Sequence, residues 1–205
     1  MAKVDRRERE RAEFREDVLA AARKIVLEEG FDGLTMRKIA DAIEYAPGTI
    51  YLYFESRDAI AFELCRAGFE QFYAALAPAA AKADPLERFA ELGRRYIDFG
   101  LENPETYRLI FMEDPKYTSA GFQEQAEADD SPGHQALGIL VGIFDELRAQ
   151  KRLKSSADSL VLAETIWAAV HGIVSLKITC HGHPQASAEE LLQSMLASLA
   201  AGLVV

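Results

Sequence analysis

The sequence predicts an all-α protein of about nine helices, and three observations carry that expectation. Apolar residues recur at steps of three and four along nearly the whole chain. No run of Val, Ile and Thr alternates as a half-buried strand would, and no Asn-Gly or Asp-Gly pair joins two such runs. A capping residue followed by proline, the start signal of a helix, recurs along the sequence.

In chain order, Phe14, Val18, Ala21, Ala22, Ile25 and Val26 mark one face of a helix over 8–29, which Gly30 ends as a C-cap glycine. Short helices over 35–42 and 46–53 follow, then a longer one over 57–77. Asp84-Pro85-Leu86-Glu87 combines an N-cap, a first-turn proline and a capping-box glutamate, opening a helix over 85–101. Asn103-Pro104 and Ser131-Pro132 repeat the cap-then-proline start, within helices predicted over 104–112 and over 119–148, the latter interrupted near 129–132. An apolar helix spans 157–179. Ser187 with Glu190 makes a capping box for the last helix, 188–202, which carries Leu191, Leu192, Met195, Leu196 and Leu199.

A chain of 205 residues can bury a real core and lies between one large domain and two small ones. Its net charge of -10 excludes a protein that coats nucleic acid by bulk charge, though not a local DNA-binding surface. The charge is uneven: residues 1–57 carry 11 Lys+Arg and 12 Asp+Glu, a net of -1, which leaves -9 for the rest. A small near-neutral unit over 1–56, joined to an acidic body over 57–205, suggests different partners for each. Two cysteines, Cys65 and Cys180, make no disulfide framework, and the charged residues 1–17 do not read as a signal peptide, so the cytoplasm is expected. The apolar stretch 160–179 approaches the length of a membrane span, but Glu164, His171 and Lys177 interrupt it, and a buried bundle helix fits better.

Residues 31–58 hold the informative motif. Thr35 can cap a short helix whose Met36, Ile39, Ala40 and Ile43 face inward; three residues of turn follow, and Ala46-Pro47 starts a second short helix. Two short helices joined by a tight turn form a helix-turn-helix. From Pro47 to Phe54 the second helix spans about 12 Å, comparable with the major groove. Gly48 allows close backbone approach. Thr49 offers a hydroxyl to phosphate and a methyl to thymine; Tyr51 and Tyr53 offer phenolic donors, while Ile50 and Phe54 pack inward. The opening amides of helices 35–42 and 57–77, beside Arg37, Lys38 and Arg57, make anion sites. Phosphate contacts would set the register, and a few side chains would read sequence. For Tyr53 a core role, and for Arg37 a solvated surface role, remain open beside DNA contact.

Thr35-Met-Arg-Lys-Ile-Ala40 followed by Pro47-Gly-Thr-Ile-Tyr-Leu-Tyr-Phe54, then Ser56-Arg57-Asp58, resembles the DNA-binding domain of the TetR family of transcriptional regulators, over about residues 10–60 without insertion. One departure stands out. The family commonly has Ala-Gly in the turn where this chain has Ile43-Glu44, whose carboxylate would either repel phosphates or accept a hydrogen bond from a cytosine amino group. Farther on, Asn103-Pro-Glu-Thr-Tyr107-Arg-Leu-Ile-Phe111 and Trp167-Ala-Ala-Val-His171-Gly172 resemble a TetR subgroup with a Trp…His-Gly signature in its regulatory domain. The resemblance implies a homodimer joined through its last two helices, which here carry Leu162, Ile166, Ile173, Leu192, Met195, Leu196 and Leu199. It also implies a small-molecule site inside each regulatory domain.

Tyr96, Phe99, Tyr107, Phe111, Met112, Phe144, Trp167 and His171 have the composition of such a pocket, and equally that of an ordinary core. His171, four residues after Trp167 and on the same helix face, is either a satisfied core histidine or a ligand contact. Arg6, Arg7, Arg9 and Arg11 alternate with glutamates, which favours a solvated helix start with i,i+4 pairs over a minor-groove arm. Cys180-His181-Gly182-His183 has no second cluster at zinc spacing, so no metal is expected. No phosphate loop, nucleophile elbow or His-Glu-x-x-His helix is present; no catalytic residue and no cofactor are predicted.

The resulting expectation is a ligand-responsive transcriptional repressor, not an enzyme, that binds a near-palindromic DNA operator as a homodimer and answers to an unidentified small-molecule effector. The rival is a helical sensor or carrier that has lost DNA binding.

Overall fold

The computed structural model describes residues 2–119 and 131–203. Among them the chain is helical with no strand: α1 (Ala2–Gly33), α2 (Met36–Ala42), α3 (Pro47–Ile50), α4 (Arg57–Leu76), a 3-10 turn (Ala77–Ala81), α5 (Pro85–Glu102), α6 (Pro104–Phe111), α7 (Pro115–Thr118), α8 (Pro132–Ala149), α9 (Ser159–Thr179) and α10 (Ala188–Leu203). The part of the expected helix 119–148 that falls on residues 120–130 lies outside the described residues.

Most local signals act as the sequence predicts. Gly30 breaks α1 at φ 72°, a left-handed conformation that favours glycine. Thr35 Oγ1 accepts from the Lys38 amide at 3.1 Å, and Asp84 Oδ1 accepts from the amides of Leu86 (2.8 Å) and Glu87 (3.2 Å). The Ser187–Glu190 box is reciprocal, with the Ser187 amide donating to Glu190 Oε2 at 2.7 Å and the Glu190 amide to Ser187 Oγ at 3.1 Å. Asn103 differs: its side-chain amide donates backward to the Phe99 carbonyl at 3.1 Å, so it closes α5 rather than opening α6.

The described residues form two compact units. The first runs to Gly68 and takes in the segment beginning at Arg108, with the end of α6 and all of α7. Its core gathers Val18, Ala22 and Val26 of α1, Ile39 and Ala40 of α2, Ile50, Phe54, and Ile60, Leu64 and Cys65 of α4, closed by Leu109 and Tyr117. The boundary expected at residue 56 falls inside this unit, which also takes in the segment beginning at Arg108. Cys65 is buried, its thiol pushed up to about 12 by desolvation and by the charge of Glu113, so it is an inert core residue.

The second unit comprises Phe69–Tyr107 with α8, α9 and α10. Within it α9 packs against α5, α8 and α10. Gly100 permits this: a methyl there would overlap Val174 of α9 and press on the Tyr107 ring at 3.0 Å. By length and composition α9 is apolar enough to cross a membrane, but one face of it, Leu162, Ala163, Ile166, Val170 and Val174, lies inside the unit. Three of the residues expected at a subunit interface are therefore core. Leu162 is 7% exposed, Ile166 4% and Leu192 1%. The apolar surface left open on α9 is instead Leu160, Val161 and Leu176 with Ala168 and Ala169, while Ile173, Met195, Leu196 and Leu199 are half-buried.

Candidate functional site

The helix-turn-helix is built from α2, a tight turn and α3. The Tyr45 amide reaches back to the Ala40 carbonyl at 2.9 Å and the Glu44 amide to Asp41 at 3.4 Å, a Schellman-type end to α2 with Glu44 in the left-handed position at φ 60°. Pro47 then starts α3, which is shorter than the predicted 46–53: four residues, followed by turns in which the Leu52 amide donates to Thr49 and the Tyr53 amide to Ile50. Ile50 is wholly buried. Around it Tyr45, Ala46, Pro47, Gly48, Tyr51 and Leu52 are exposed, Tyr51 at 56% and Leu52 at 75%. Sequence reasoning did not single out Tyr45 or Leu52 as surface residues.

Arg15 of α1 fixes the far end of this element. One guanidinium nitrogen donates to the Tyr53 carbonyl at 2.7 Å and another to both oxygens of Glu63 at 2.6 and 2.8 Å, with the group over the Phe54 ring. The Tyr53 ring packs on Phe14 at 4.5 Å between centroids, so Tyr53 is partly core, whereas Tyr51 faces outward. Arg37 is exposed, with only a 3.9 Å approach to Asp41; Lys38 pairs with Glu29. At the start of α1, Arg6 pairs with Glu10 at 2.7 Å within a helix, as a solvated helix start would.

Arg57 corrects the expectation of a phosphate contact. Its guanidinium is committed inside the first unit, donating to the Tyr117 hydroxyl at 2.7 Å, to the Phe31 carbonyl at 3.3 Å and to Asp58 at 3.1 Å. Tyr117 is buried, its ring tilted against Phe31 at 4.5 Å between centroids, and its hydroxyl donates to Asp58 Oδ1 at 2.6 Å while Lys116 donates to Oδ2 at 2.6 Å. Hydrogen bonds from Lys116 and then Tyr117 hold the Asp58 carboxyl well below the usual carboxylate range. The signal for this clamp was in the sequence: Asp114-Pro115 is another cap-then-proline start, and Asp114 Oδ1 accepts from the Lys116 amide at 2.8 Å.

In the second unit four of the expected pocket residues form one hydrogen-bonded row. Trp167 Nε1–H donates to Tyr96 Oη at 3.1 Å, the Tyr96 and Tyr107 hydroxyls lie 2.9 Å apart, and the Tyr107 hydroxyl is 2.6 Å from His171 Nδ1. Tyr96 and Tyr107 are buried, which raises both phenol pKa values far out of reach. Indole can only donate. The Tyr96 hydroxyl keeps its own hydrogen and a second lone pair for Tyr107, so the row can run in either direction, and that direction sets which His171 nitrogen carries hydrogen. Burial lowers the His171 pKa, reinforcing the neutral ring. Phe99 and Phe144 are buried beside this row as ordinary core, paired edge-on with Phe72 and Phe89. Phe111 and Met112 fall in the first unit and do not join it.

The family described as bacterial regulatory proteins, tetR family, matches residues 18–64, and the tetracyclin repressor-like C-terminal domain matches residues 89–199, more than half of the chain. The chain belongs to the TetR family. Its members are transcriptional regulators and not enzymes. A curated relative, an uncharacterized HTH-type transcriptional regulator of Haemophilus influenzae, is 28% identical over 95 residues; the match covers 46% of this chain and spans about half (51%) of that relative's length. Among solved structures, a protein of unknown function from Rhodococcus sp. RHA1 is similar at a TM-score of 0.73 and 25% identity, covering 93% of this chain and 95% of the other. The TetR family regulator PfmR of Thermus thermophilus (TM-score 0.63, 16% identity, 88% and 94% covered) shares the fold. So does AibR, solved with isovaleryl coenzyme A and operator DNA (TM-score 0.66, 16% identity, 90% and 96% covered). The two domain matches coincide with the two motifs read from the sequence: residues 18–64 contain the helix-turn-helix, and 89–199 contain the Tyr96–Tyr107–His171–Trp167 row of this TetR-family chain.

Proposed function

We propose that the chain is a ligand-responsive, cytoplasmic transcriptional repressor that binds a near-palindromic operator as a homodimer. The observation that carries the DNA-binding reading is the outward set Ala46, Pro47, Gly48, Thr49 and Tyr51 held over a buried Ile50, a small surface-exposed element of groove width. Thr35, Arg37 and Lys38 at the opening of α2 add phosphate-facing amides and charge, and the acidic remainder of the chain discourages non-specific coating of DNA. AibR, solved with both isovaleryl coenzyme A and operator DNA, supports the pairing of small-molecule and DNA binding in this fold.

The effector is read by Tyr96, Tyr107, Trp167 and His171, whose row ends on an imidazole that burial favours in its neutral form. Tyr107 lies on α6, and the same helix reaches Leu109 in the core of the first unit two residues later. The ligand must bind the non-operator state more tightly, since only differential affinity moves the equilibrium. Two subunits meet through the open α9 face and α10. The deciding experiment is footprinting on the DNA upstream of the chain's own gene at modest salt. A protected inverted repeat supports the repressor; its absence there and in a genome-wide selection leaves the sensor-only reading standing.

A further inference from the structure

We propose that Glu44 is a specificity-determining residue that accepts a hydrogen bond from the amino group of a cytosine in each operator half-site. This rests on the DNA-binding reading of the helix-turn-helix. Glu44 sits at φ 60° as the left-handed residue ending α2, a conformation that glycine adopts freely and a side chain adopts only under strain. Among the described residues nothing offsets that strain. The side chain is exposed, and among the described residues it makes no hydrogen bond or ion pair. Nor does the turn need a carboxylate for its geometry, because the backbone bonds from Tyr45 to Ala40 and from Glu44 to Asp41 close it without the side chain.

The position adds an electrostatic penalty. Glu44 stands three residues before Pro47, beside exposed Tyr45, on the element whose outward residues face a polyanion. A carboxylate there is repelled by phosphates unless it meets a donor, and the donors a duplex offers in its major groove are the amino groups of cytosine and adenine. An ionised carboxylate can only accept, and cytosine N4 is its usual partner. The repulsion is offset where the carboxylate meets a cytosine amino group, and at every other sequence it remains a penalty, which is how a repulsive element produces discrimination.

The test is selection of binding sites from randomised duplexes by the full chain and by Glu44→Gly and Glu44→Gln, with thermal melts to confirm folding. The unaltered chain is expected to enrich an inverted repeat with cytosine at one fixed position per half-site. Glu44→Gly should bind bulk DNA more tightly and lose about tenfold or more of the preference at that position alone. Glu44→Gln, which both donates and accepts, should move the preference toward adenine there. A Gly variant that selects the same base at every position as the unaltered chain overturns the proposal while leaving DNA binding intact. An unaltered chain that enriches no sequence overturns the DNA-binding reading and this inference with it.

Discussion

Trp167 donates its indole hydrogen to the Tyr96 hydroxyl, which turns the Tyr96 hydrogen away from the indole. The direction in which Tyr96 donates to Tyr107 and Tyr107 to His171 Nδ1 gives both hydroxyl hydrogens a partner within the row, and it is the arrangement we predict. Nitrogen-detected NMR of the histidine rings should find His171 as the neutral Nε2–H form at pH 7. Trp167→Phe removes that donor, and the populations of the two tautomers should then become mixed; an unchanged tautomer in that variant would show that the row is not directional.

The same row predicts a pH effect. Burial lowers the folded pKa of His171 below its ordinary value near 6.5, so the unfolded chain takes up the proton first as pH falls. The neutral ring's contribution is fully present above about pH 6.5 and is lost progressively below it, down through the folded pKa. His171→Asn, which can keep an acceptor near the Nδ1 position, should flatten the acid side of a melting-temperature profile between about pH 5 and 7. Parallel profiles for the variant and the unaltered chain would count against a titrating His171.

Tyr107→Phe takes out the middle of the row and removes its hydrogen bonds to Tyr96 and to His171. Each lost hydrogen bond contributes about 0.5–1.5 kcal/mol, so urea unfolding should give a loss of about 1–3 kcal/mol with little change in slope. The Tyr96→Phe/Tyr107→Phe double variant should lose less than the sum of the single losses, because both single changes remove the same Tyr96–Tyr107 bond.

Gly48 separates fold from function. A Cβ at Gly48 would meet nothing within 4 Å, and its φ is not positive, so the chain itself does not require glycine there. Gly48→Ala should leave stability unchanged or raise it by up to about 1 kcal/mol through helix propensity. If backbone must come close to the duplex at α3, the same change should weaken operator binding several-fold in a fluorescence-anisotropy titration. Full affinity in Gly48→Ala would move the closest approach to another residue.

The helices and caps were legible in the sequence because they are local: Thr35, Asp84, Ser131 and Ser187 each satisfy amides within three residues of themselves. The outward character of Tyr51 and the burial of Ile50 followed from a short helical period. What was not legible depends on contacts distant along the chain. Arg57 reads as a free cation until Tyr117, 60 residues away, is seen beneath it, and Leu192 reads as interface until its burial within the second unit is seen. The pocket residues illustrate both cases: His171 and Trp167 share a helix face by spacing alone, but only folding brings Tyr96 and Tyr107 between them.

Burial separates the two classes of apolar residue on α9 and α10, and this gives a test of the dimer. Leu176 is an exposed apolar residue, 47% accessible, on the open face of α9 with Val161, Ala168 and Ala169, whereas Leu192 is 1% exposed inside the second unit. A charge at the first position meets solvent in an isolated subunit and is desolvated only if a second copy covers that face. A charge at the second position is desolvated in any case. Leu176→Glu should therefore keep its helical circular dichroism and melting cooperativity while sedimenting as a monomer, and operator affinity should fall because one half-site is lost. Leu192→Glu should instead unfold or melt far lower, whatever the oligomeric state. A Leu176→Glu protein that still sediments as a dimer would place the subunit contact on another face.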